Sequence, residues 1–410
     1  MSVPKLKVLI SGGGIAGSCL AFWLAKTGLN ISTTIVERAP SRRVSGQAVD
    51  IRGPAIDIIK KMKLEEAIRS RYTTEKGTRF INSSGKPFAE FASDHTFTAE
   101  FEILRADLAD IFLEATENFD NVKYVYGDSI ESLSQSEKDV SVAFKRGWKD
   151  TFDVVVAADG STSRTRPLIL DSHILKDSYK FLGWYIAYFS IPSRPNDDKM
   201  WNWYCKPKGL CIMTRPHRTN TTMGAYLSVT TPAKGRKDPI LENAVDSSPL
   251  EQKRILREYF EDAGWEAKRV LDGMDQDQDF YMSRAALVKL PKWTNHRALV
   301  IGDAGFATQG VGTSLAIESA YVLAGELSKI RSSNDVPQAL EKYEEIFRTL
   351  YNKMGDVPPG FPQMAFPQTR WGLWVRDLFL WFVTKTKVYK LFPNDESVDW
   401  EPPSYKWVGI

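Results

Sequence analysis

The chain has 410 residues, of which 43% are hydrophobic and 26% charged, a globular composition large enough for two or three domains. Its net charge of +3 lies too near balance to favour nucleic acid or a membrane surface as partner. The three cysteines, Cys19, Cys205 and Cys211, provide neither a disulfide framework nor metal-ligand spacing. With an N-terminus unlike a secretory signal, they predict a cytoplasmic protein without a metal site.

The N-terminal part of the chain alternates between strand and helix patterns. A short apolar strand at 6–10 is followed by a glycine-rich turn and by a helix with apolar residues at helical spacing and a stop at Gly28. The next strand is predicted at 33–37. Strand, turn, helix and strand in this order predict a βαβ unit with parallel strands.

The rest of the chain predicts the same α/β pattern with a β-rich insertion. Apolar runs between about 180 and 230 indicate a largely antiparallel sheet inserted into the α/β frame. The other predicted strands lie within 78–91 and at 139–145, 152–157 and 297–301. The other predicted helices lie at 105–118, 250–262, 335–354 and 369–392, and a further long helix follows the last strand and ends at Ile330.

The predicted tail helix is rich in aromatic residues and is interrupted by Arg376 and Asp377. No stretch of the sequence has the run of apolar residues that a spanning helix needs. An aromatic amphipathic helix is more often a packing helix than an anchor, and a weak peripheral membrane contact is the alternative.

The first chemical motif is the turn Gly12-Gly13-Gly14-Ile15-Ala16-Gly17, which lies between the first strand and the first helix. Gly12 permits the tight turn, Gly14 lets a pyrophosphate approach the backbone, and Gly17 lets the helix pack closely on the sheet. The helix N-terminus offers N–H groups to the phosphates. Glu37 ends the second strand, where a carboxylate accepts ribose hydroxyls. This combination predicts an adenine dinucleotide site.

Three later motifs follow in order: Leu104-Arg105-Ala106-Asp107, the Asp159-Gly160 to Arg166 segment, and Gly302-Asp303-Ala304 continuing to Gly310-Val311-Gly312. Together with the glycine turn they resemble the class A flavoprotein monooxygenases, the p-hydroxybenzoate hydroxylase superfamily. Within that group, residues 46–53 and 320–327 look most similar to the tetracycline-inactivating monooxygenases and their fungal relatives.

The resemblance implies tightly bound FAD and a set of residues that contact it. Asp303 would hold the ribityl or pyrophosphate part, the Gly310–Gly312 turn would present N–H groups to the flavin, and Arg105 would pair with the pyrophosphate. For Arg105 the alternative is a surface helix residue in an ion pair. The further cofactor-binding candidates are Ala16, Arg38, Arg43, Gln47, Asp50 and Asp159.

Several of these candidates also have an interpretation that involves no contact with the cofactor. Arg38 and Arg43 would contact the adenosine end or a nicotinamide phosphate, or be solvated surface charges. Gln47 and Asp50 match the family segment that lines the flavin, although Asp50 is equally suited to a turn. Tyr185, Tyr188 and Tyr204 lie on runs expected to face the flavin, but tyrosines of a sheet more often belong to the core, so no residue is assigned as catalytic.

The fold implied by the resemblance is α/β, with a Rossmann-like (GR2-type) FAD-binding domain, an inserted, mostly antiparallel β-sheet substrate domain and a C-terminal helical segment. The FAD-binding domain would comprise 1–72, 101–176 and 286–332. The substrate-binding sheet would comprise 73–100 and 177–285, and helices in 333–410 would pack across both.

The implied reaction uses NAD(P)H as a transient co-substrate and O2, which forms a C4a-hydroperoxyflavin. One oxygen atom would then be inserted, as a hydroxylation or an epoxidation, into a bulky aromatic, indole, terpenoid or polyketide-type molecule, in secondary metabolism or xenobiotic modification. A monomer or weak dimer is expected, with no nucleic acid partner.

The sequence departs from the family after Asp303, where many members have a histidine and then a proline over the flavin. Here the segment is Gly305-Phe306-Ala307-Thr308-Gln309. The alternatives are therefore a related FAD oxidoreductase without oxygen insertion, or a flavin-binding module with low turnover.

Overall fold

The computed structural model describes residues 5–42, 46–92, 101–354, 356–391 and 400–410. Within these ranges the strands are β1 Lys5–Ser11, β2 Asn30–Glu37, β3 Ala48–Ile51, β4 Gly77–Ile81, β5 Pro87–Ala92, β6 Phe101–Leu104, β7 Val122–Tyr126, β8 Ile130–Gln135, β9 Val140–Phe144, β10 Lys149–Phe152, β11 Val154–Ala157, β12 Tyr179–Pro192, β13 Trp201–Lys206, β14 Leu210–Pro216, β15 Thr222–Thr230, β16 Tyr281–Val288, β17 Thr294–Asn295 and β18 Ala298–Val300.

The helices of the described residues complete the element order. They are α1 Ile15–Ala25, α2 Pro54–Lys61, α3 Glu65–Ser70, α4 Arg105–Glu114, α5 Arg166–Ile169, α6 Ser172–Leu175, α7 Pro239–Val245, α8 Pro249–Phe260, α9 Ala267–Gln276, α10 Asp303–Phe306, α11 Gly312–Leu327, α12 Val336–Met354 and α13 Arg370–Thr386. Short 3₁₀ turns occupy Ser333–Asp335 and Val388–Leu391.

The first sheet carries the dinucleotide motif, and its strand order is β17-β18-β11-β1-β2-β7. Five of its strands run parallel: β18, β11, β1, β2 and β7. Parallel neighbours need a long crossover connection, and other helices and strands provide it here. Helices α1 and α11 pack against each other in the core of this region, and both are buried along nearly their whole length. The predicted α/β class is confirmed.

The second large sheet has the strand order β16-β12-β15-β14-β13-β4-β5 and is antiparallel except for the β13–β4 pair. Its two faces pack separately. One face lies on α7, α8 and α9, and the other on α13 and the segment before it. This is the predicted inserted sheet, and it includes the strands predicted within 78–91. The domain boundaries proposed from the sequence stay a prediction.

Some element predictions were incomplete. The tail helix ends at Thr386 and is followed by a 3₁₀ turn, and α4 ends at Glu114 rather than near 118. Strand β7 and the two-stranded β3–β6 sheet were missed, and the predicted strand at 139–145 belongs to a separate sheet with β8 and β10. Short strands whose partners lie far along the chain give little periodic signal.

Candidate functional site

The glycine turn after β1 has the geometry that its sequence predicts. Gly12 has φ +112°, and a Cβ there would lie 2.5 Å from the carbonyl oxygen of Ala158. A Cβ on Gly17 would lie 2.0 Å from the carbonyl oxygen of Gly12, whereas one on Gly14 would meet no atom within 4 Å. Side chains are therefore excluded at Gly12 and Gly17, where two backbone segments are in close contact. Open space remains at Gly14, in front of the first turn of α1.

Glu37 lies beside this turn at the end of β2. Its carboxylate accepts hydrogen bonds from the backbone N–H groups of Gly13 and Ala39, both at 2.9 Å. The neighbouring Arg38 is exposed, and Arg43 lies outside the described residues. The acidic residue is thus oriented by the backbone of the loop that would receive the ribose.

The segment after β18 meets the glycine turn from the other side. A Cβ on Gly302 would lie 2.9 Å from that of Ala16, and Asp303 begins α10 directly afterwards. A Cβ on Gly312 would lie 3.3 Å from Oδ1 of Asp303, while Gly310 has φ +88° and open space around it. The start of α11 and the Asp303 carboxylate therefore face the same groove as α1.

Arg105 reaches this groove from the small β3–β6 sheet. Its backbone N–H donates to the carbonyl oxygen of Gln47 at 3.0 Å. Burial raises the pKa of the Asp303 carboxyl, and the Arg105 charge opposes that rise. The structure thus brings Gln47, Arg105 and Asp303 together from three distant parts of the chain.

Asp50 and Asp159 are both held by protein groups. Asp50 forms an ion pair with Arg52 at 3.1 Å, and the Arg52 backbone N–H donates to the Ser314 hydroxyl of α11. Asp159 accepts hydrogen bonds from the N–H groups of Arg164 and Thr165 at 3.0 and 3.1 Å. Asp159 therefore orders its own loop. Contact of either carboxylate with a cofactor stays a prediction.

The groove fits an adenine dinucleotide. Two helices of more than two turns, α1 and α11, begin there without a side-chain cap, so their first N–H groups remain available. Gly14 and Gly310 leave space in front of these two helix ends. Among the described residues, no group of three or more histidine, cysteine or acidic side chains could hold a metal ion.

A row of directly opposed residues crosses the second sheet on the face away from α7–α9. Each member is the register partner of the next. From one edge to the other the row is Tyr281, Tyr188, Tyr226, Met213, Trp203, Phe80 and Ala89. Ring centroids of Tyr188 lie 5.0 Å from Tyr281 and 5.1 Å from Tyr226. We call these seven residues the aromatic row.

The tyrosine end of the aromatic row touches the segment that carries Gln47. The Tyr281 hydroxyl donates to Oε1 of Gln47, and the Tyr226 hydroxyl accepts from the Ala48 N–H at 3.5 Å. Burial raises the pKa of Tyr188 and Tyr226, so both phenols are neutral at physiological pH. A narrow cavity lies between Gln47 and the three tyrosines, with His217 in its wall.

Tyr185 and Tyr204 are core tyrosines on the other face of the sheet, which is the alternative that the sequence left open. The Tyr185 hydroxyl donates to Glu242 at 2.9 Å, and the Tyr204 hydroxyl donates to the Ala263 carbonyl at 2.8 Å, both on the α7–α9 side. Successive residues of a strand point to opposite faces. Of the three tyrosines, Tyr188 alone lies on the face that carries the aromatic row.

A buried ion cluster beside the row was missed in the sequence. Arg215 pairs with Glu75 and with Glu102, each at 2.6 Å, and all three side chains are almost fully buried. Burial raises the pKa of Glu75 to about 8 and also raises the pKa of Glu102, while Arg215 opposes both shifts. One arginine thus faces two buried carboxylates, which favours a proton on one of them. The signal available in the sequence was an arginine in an apolar strand.

A wide polar cleft opens at another edge of the sheet. Its volume is about 830 Å³, and Thr162 of the loop after β11 forms part of its wall. The charged residues of the lining are Lys180, Lys234, Lys237, Arg284, Lys289, Glu242 and Asp246. Lys237, Arg284 and Lys289 are paired with acidic residues, and the cations Lys180 and Lys234 of the wall would attract an anionic ligand.

Comparison with known proteins gives one family. The family model described as FAD binding domain matches residues 5–356. The chain is 34% identical to Monooxygenase CTB7 of Cercospora beticola, over 100% of both chains. It is 31% identical to FAD-dependent monooxygenase asL4 of Sarocladium schorii, over 97% of this chain and 95% of the relative.

Solved structures agree with this assignment. Tetracycline destructase Tet(51) superposes with a TM-score of 0.77 at 29% identity, over 99% of this chain and 100% of that one. Klebsiella pneumoniae HpxO, complexed with FAD and uric acid, shares the fold with a TM-score of 0.71 at 18% identity, over 94% and 95% of the two chains.

Proposed function

The chain belongs to the FAD-binding-domain family and is an FAD-dependent monooxygenase of the class A type. From this premise we propose that it uses NAD(P)H and O2 to insert one oxygen atom into a bulky aromatic or polycyclic molecule. Indoles, terpenoids and polyketides belong to this substrate class. We place the reaction, a hydroxylation or an epoxidation, in secondary metabolism or xenobiotic modification, in a cytoplasmic monomer or weak dimer.

The aromatic row is the observation that carries the substrate class. Its tyrosine end lies against Gln47, in the segment expected to line the flavin, and its other end continues as Met213, Trp203 and Phe80. Flat apolar rings stack favourably on such a surface, each contact contributing about 0.5–1.5 kcal/mol. The tyrosine end therefore offers the ring surface for a planar substrate, because Trp203 is already stacked on Phe366 and Phe80 lies beneath Arg376 of α13.

The residues of the groove would hold the cofactor along its length. Arg105 and the first N–H groups of α1 suit the pyrophosphate, Glu37 suits the ribose, and Asp303 with the start of α11 suits the flavin end. When bound, FAD supplies the redox and oxygen-activating chemistry of the reaction.

The protein side chains orient the substrate and exclude water. The phenols of Tyr188 and Tyr226 are neutral, so they offer hydrogen bonds to a substrate hydroxyl or carbonyl rather than a negative charge. The bond between Tyr281 and Gln47 ties the tyrosine end of the row to the cofactor segment. Burial and the Arg215 charge hold the pKa of His217 down to about 4, so this side chain of the cavity wall is also neutral.

The polar cleft supports the use of NAD(P)H. Lys180 and Lys234 are exposed on its wall, and its volume is that of a site for a large organic ligand. A dinucleotide brings at least two negative charges, which these cations would attract. We assign transient NAD(P)H binding to this cleft.

The relatives support the same substrate class. Tet(51), which shares 29% identity over nearly the whole chain, is named for its action on tetracycline, a polycyclic molecule. The fungal relatives are named monooxygenases, without a substrate. The substrate of this chain is therefore proposed by class rather than by compound.

The test uses the purified FAD-loaded protein with NADPH and a panel of polycyclic phenols, indoles and terpenoids under ¹⁸O2. Substrate-stimulated NADPH oxidation and one ¹⁸O atom in the product support the proposal. Unlabelled product would instead support the related oxidoreductase without oxygen insertion, which the segment Gly305–Gln309 motivates. Failure to restore the 450-nm flavin absorbance by adding FAD would exclude both.

A further inference from the structure

Helix α13 is apolar on both of its faces. Its inner face packs on the second sheet through Leu380 and Val383, Leu373 is buried, and Arg376 donates to the Ala365 carbonyl at 2.8 Å. Its outer face is exposed, with Trp371 73% and Phe379 64% accessible. A surface helix normally carries polar residues on its outer face. The outer face of α13 thus has the composition of a face that binds a partner.

The exposed residues form one continuous stripe. They recur at intervals of three and four, the spacing of a single helical face. In order they are Trp371, Trp374, Val375, Leu378, Phe379, Trp381 and Phe382. We call these seven residues the outer stripe. It spans Trp371 to Phe382 of the 17-residue helix, a length of roughly 18 Å.

Positive charges flank the outer stripe. Arg370 precedes it, and Lys385, Lys387 and Lys390 follow it; all four are exposed and have no ion-pair partner within the described part of the chain. The acidic residue of the helix, Asp377, is bound to Arg376 on its inner side, at 2.5 Å. The surface therefore combines tryptophan and phenylalanine with unpaired cations.

We propose that α13 docks in the plane of a lipid bilayer that contains anionic lipids. The outer stripe would enter the boundary between headgroups and acyl chains, where tryptophan is favoured, and the flanking cations would pair with anionic headgroups. No helix among the described residues is long and apolar enough to cross a membrane, so the contact is peripheral. The proposal does not depend on the substrate proposed above.

Charge favours a lipid surface over a second copy of the chain. In a symmetric pair of α13 helices, Arg370 and the three lysines would lie near cations of the partner helix in a parallel or an antiparallel arrangement. No acid of the outer stripe would compensate them. An anionic bilayer compensates all four.

The experiment is flotation of the full FAD-loaded chain with vesicles of phosphatidylcholine and phosphatidylserine at 7:3. We expect the chain to float with these vesicles, and its binding to be at least tenfold weaker with vesicles of pure phosphatidylcholine. The double variant Trp374→Glu/Phe379→Glu should lose binding, because each glutamate places a charge in the acyl boundary. Lys385→Glu/Lys387→Glu should lose the preference for phosphatidylserine.

The matched control is Ile240→Glu/Leu250→Glu, which places the same charges at exposed apolar residues of α7 and α8. This control should float like the unchanged chain. Flavin content and the melting temperature of each variant report whether it is folded. Equal flotation of Trp374→Glu/Phe379→Glu overturns the proposal. So does a dimer in light scattering that this variant dissociates without any vesicle binding, since the stripe would then join two copies.

Discussion

The cofactor groove and the aromatic row are built in opposite ways. The groove consists of backbone at the ends of parallel strands, and each piece of it, such as Gly12–Gly17 or Gly302–Gly312, occupies a few consecutive residues. The aromatic row takes one residue from each of seven strands, so its members are joined by register alone. Local geometry therefore specifies the groove, and long-range pairing specifies the row.

This difference predicts where each region is sensitive. The groove should fail when a side chain fills space reserved for a ligand, and the row when a ring is removed. The buried cluster of Glu75, Arg215 and Glu102 joins the two regions, since Arg215 lies on the sheet and Glu102 is the register partner of Asp50. Variants in the groove, in the row and in this cluster therefore distinguish the effects of local backbone geometry from those of long-range strand pairing.

The largest effect is expected at the junction. Replacing Arg215 by methionine leaves two buried carboxylates without their cation, and removing one partner of a buried ion pair typically costs about 3–5 kcal/mol. The free energy of unfolding, measured by urea denaturation, should fall by that amount. Arg254→Met, which removes an exposed arginine that pairs with Glu251 and Glu258, is the control and should change little. An unchanged free energy of unfolding in Arg215→Met would show that the ion pairs of this cluster do not stabilise the fold.

The pH dependence of the same cluster has a definite sign. The folded pKa of Glu75 is about 8, above its ordinary value of 4.5, so the folded state keeps a proton that the unfolded state releases. Stability should therefore fall as pH rises from about 4.5 to 8, by up to about 1.4 kcal/mol per pH unit, and level off above.

Glu75→Gln carries the neutral form permanently, so we expect its unfolding free energy to lose this slope. Glu242→Gln is the control, because the pKa of Glu242 is lowered to about 2, largely by Lys237 and Arg284 against the effect of burial. The stability that Glu242 contributes is lost only as pH falls below about 4.5 toward 2. A slope unchanged in Glu75→Gln would assign the proton to another group.

Gly14→Val tests the groove. A Cβ at this residue meets no protein atom within 4 Å, and the φ of −81° suits any amino acid, so the fold should survive. The side chain would occupy the pyrophosphate position, and we expect FAD affinity to fall at least about 100-fold, about 2.7 kcal/mol. Titration of the apoprotein with FAD measures it. Gly17→Ala should instead impair folding, because its Cβ would lie 2.0 Å from the Gly12 oxygen. Normal FAD binding by Gly14→Val would contradict the assignment.

Tyr188→Ala tests the row at its centre. It removes a ring that contacts both Tyr226 and Tyr281, so kcat/KM for a polycyclic substrate should fall about 30-fold, about 2 kcal/mol, with FAD content unchanged. Tyr185→Phe, three residues earlier on the opposite face, should leave kcat/KM nearly constant. Equal effects of the two variants would refute the division between faces.

The smallest effect is expected in the polar cleft. Lys180→Glu/Lys234→Glu reverses two charges of its wall, so the KM for NADPH should rise about tenfold, about 1.4 kcal/mol. Lys86→Glu/Lys145→Glu makes the same charge change at other exposed lysines and serves as the control. A KM unaffected by the first pair would place NAD(P)H binding elsewhere.

The sequence by itself determined the α/β class, the inserted sheet, the glycine turn with Glu37, and the helices α11, α12 and α13 to within a few residues. These features depend on periodicity and on backbone conformations that few residues adopt, so adjacent residues carry the signal. The tertiary structure decided which tyrosines share a face, that Glu75 and Glu102 surround Arg215, and that the outer stripe of α13 is left uncovered. Strand register and helix docking set these contacts, and both depend on residues far apart in the chain, such as Glu75 and Arg215 at a separation of 140 positions, whose pairing no local pattern records.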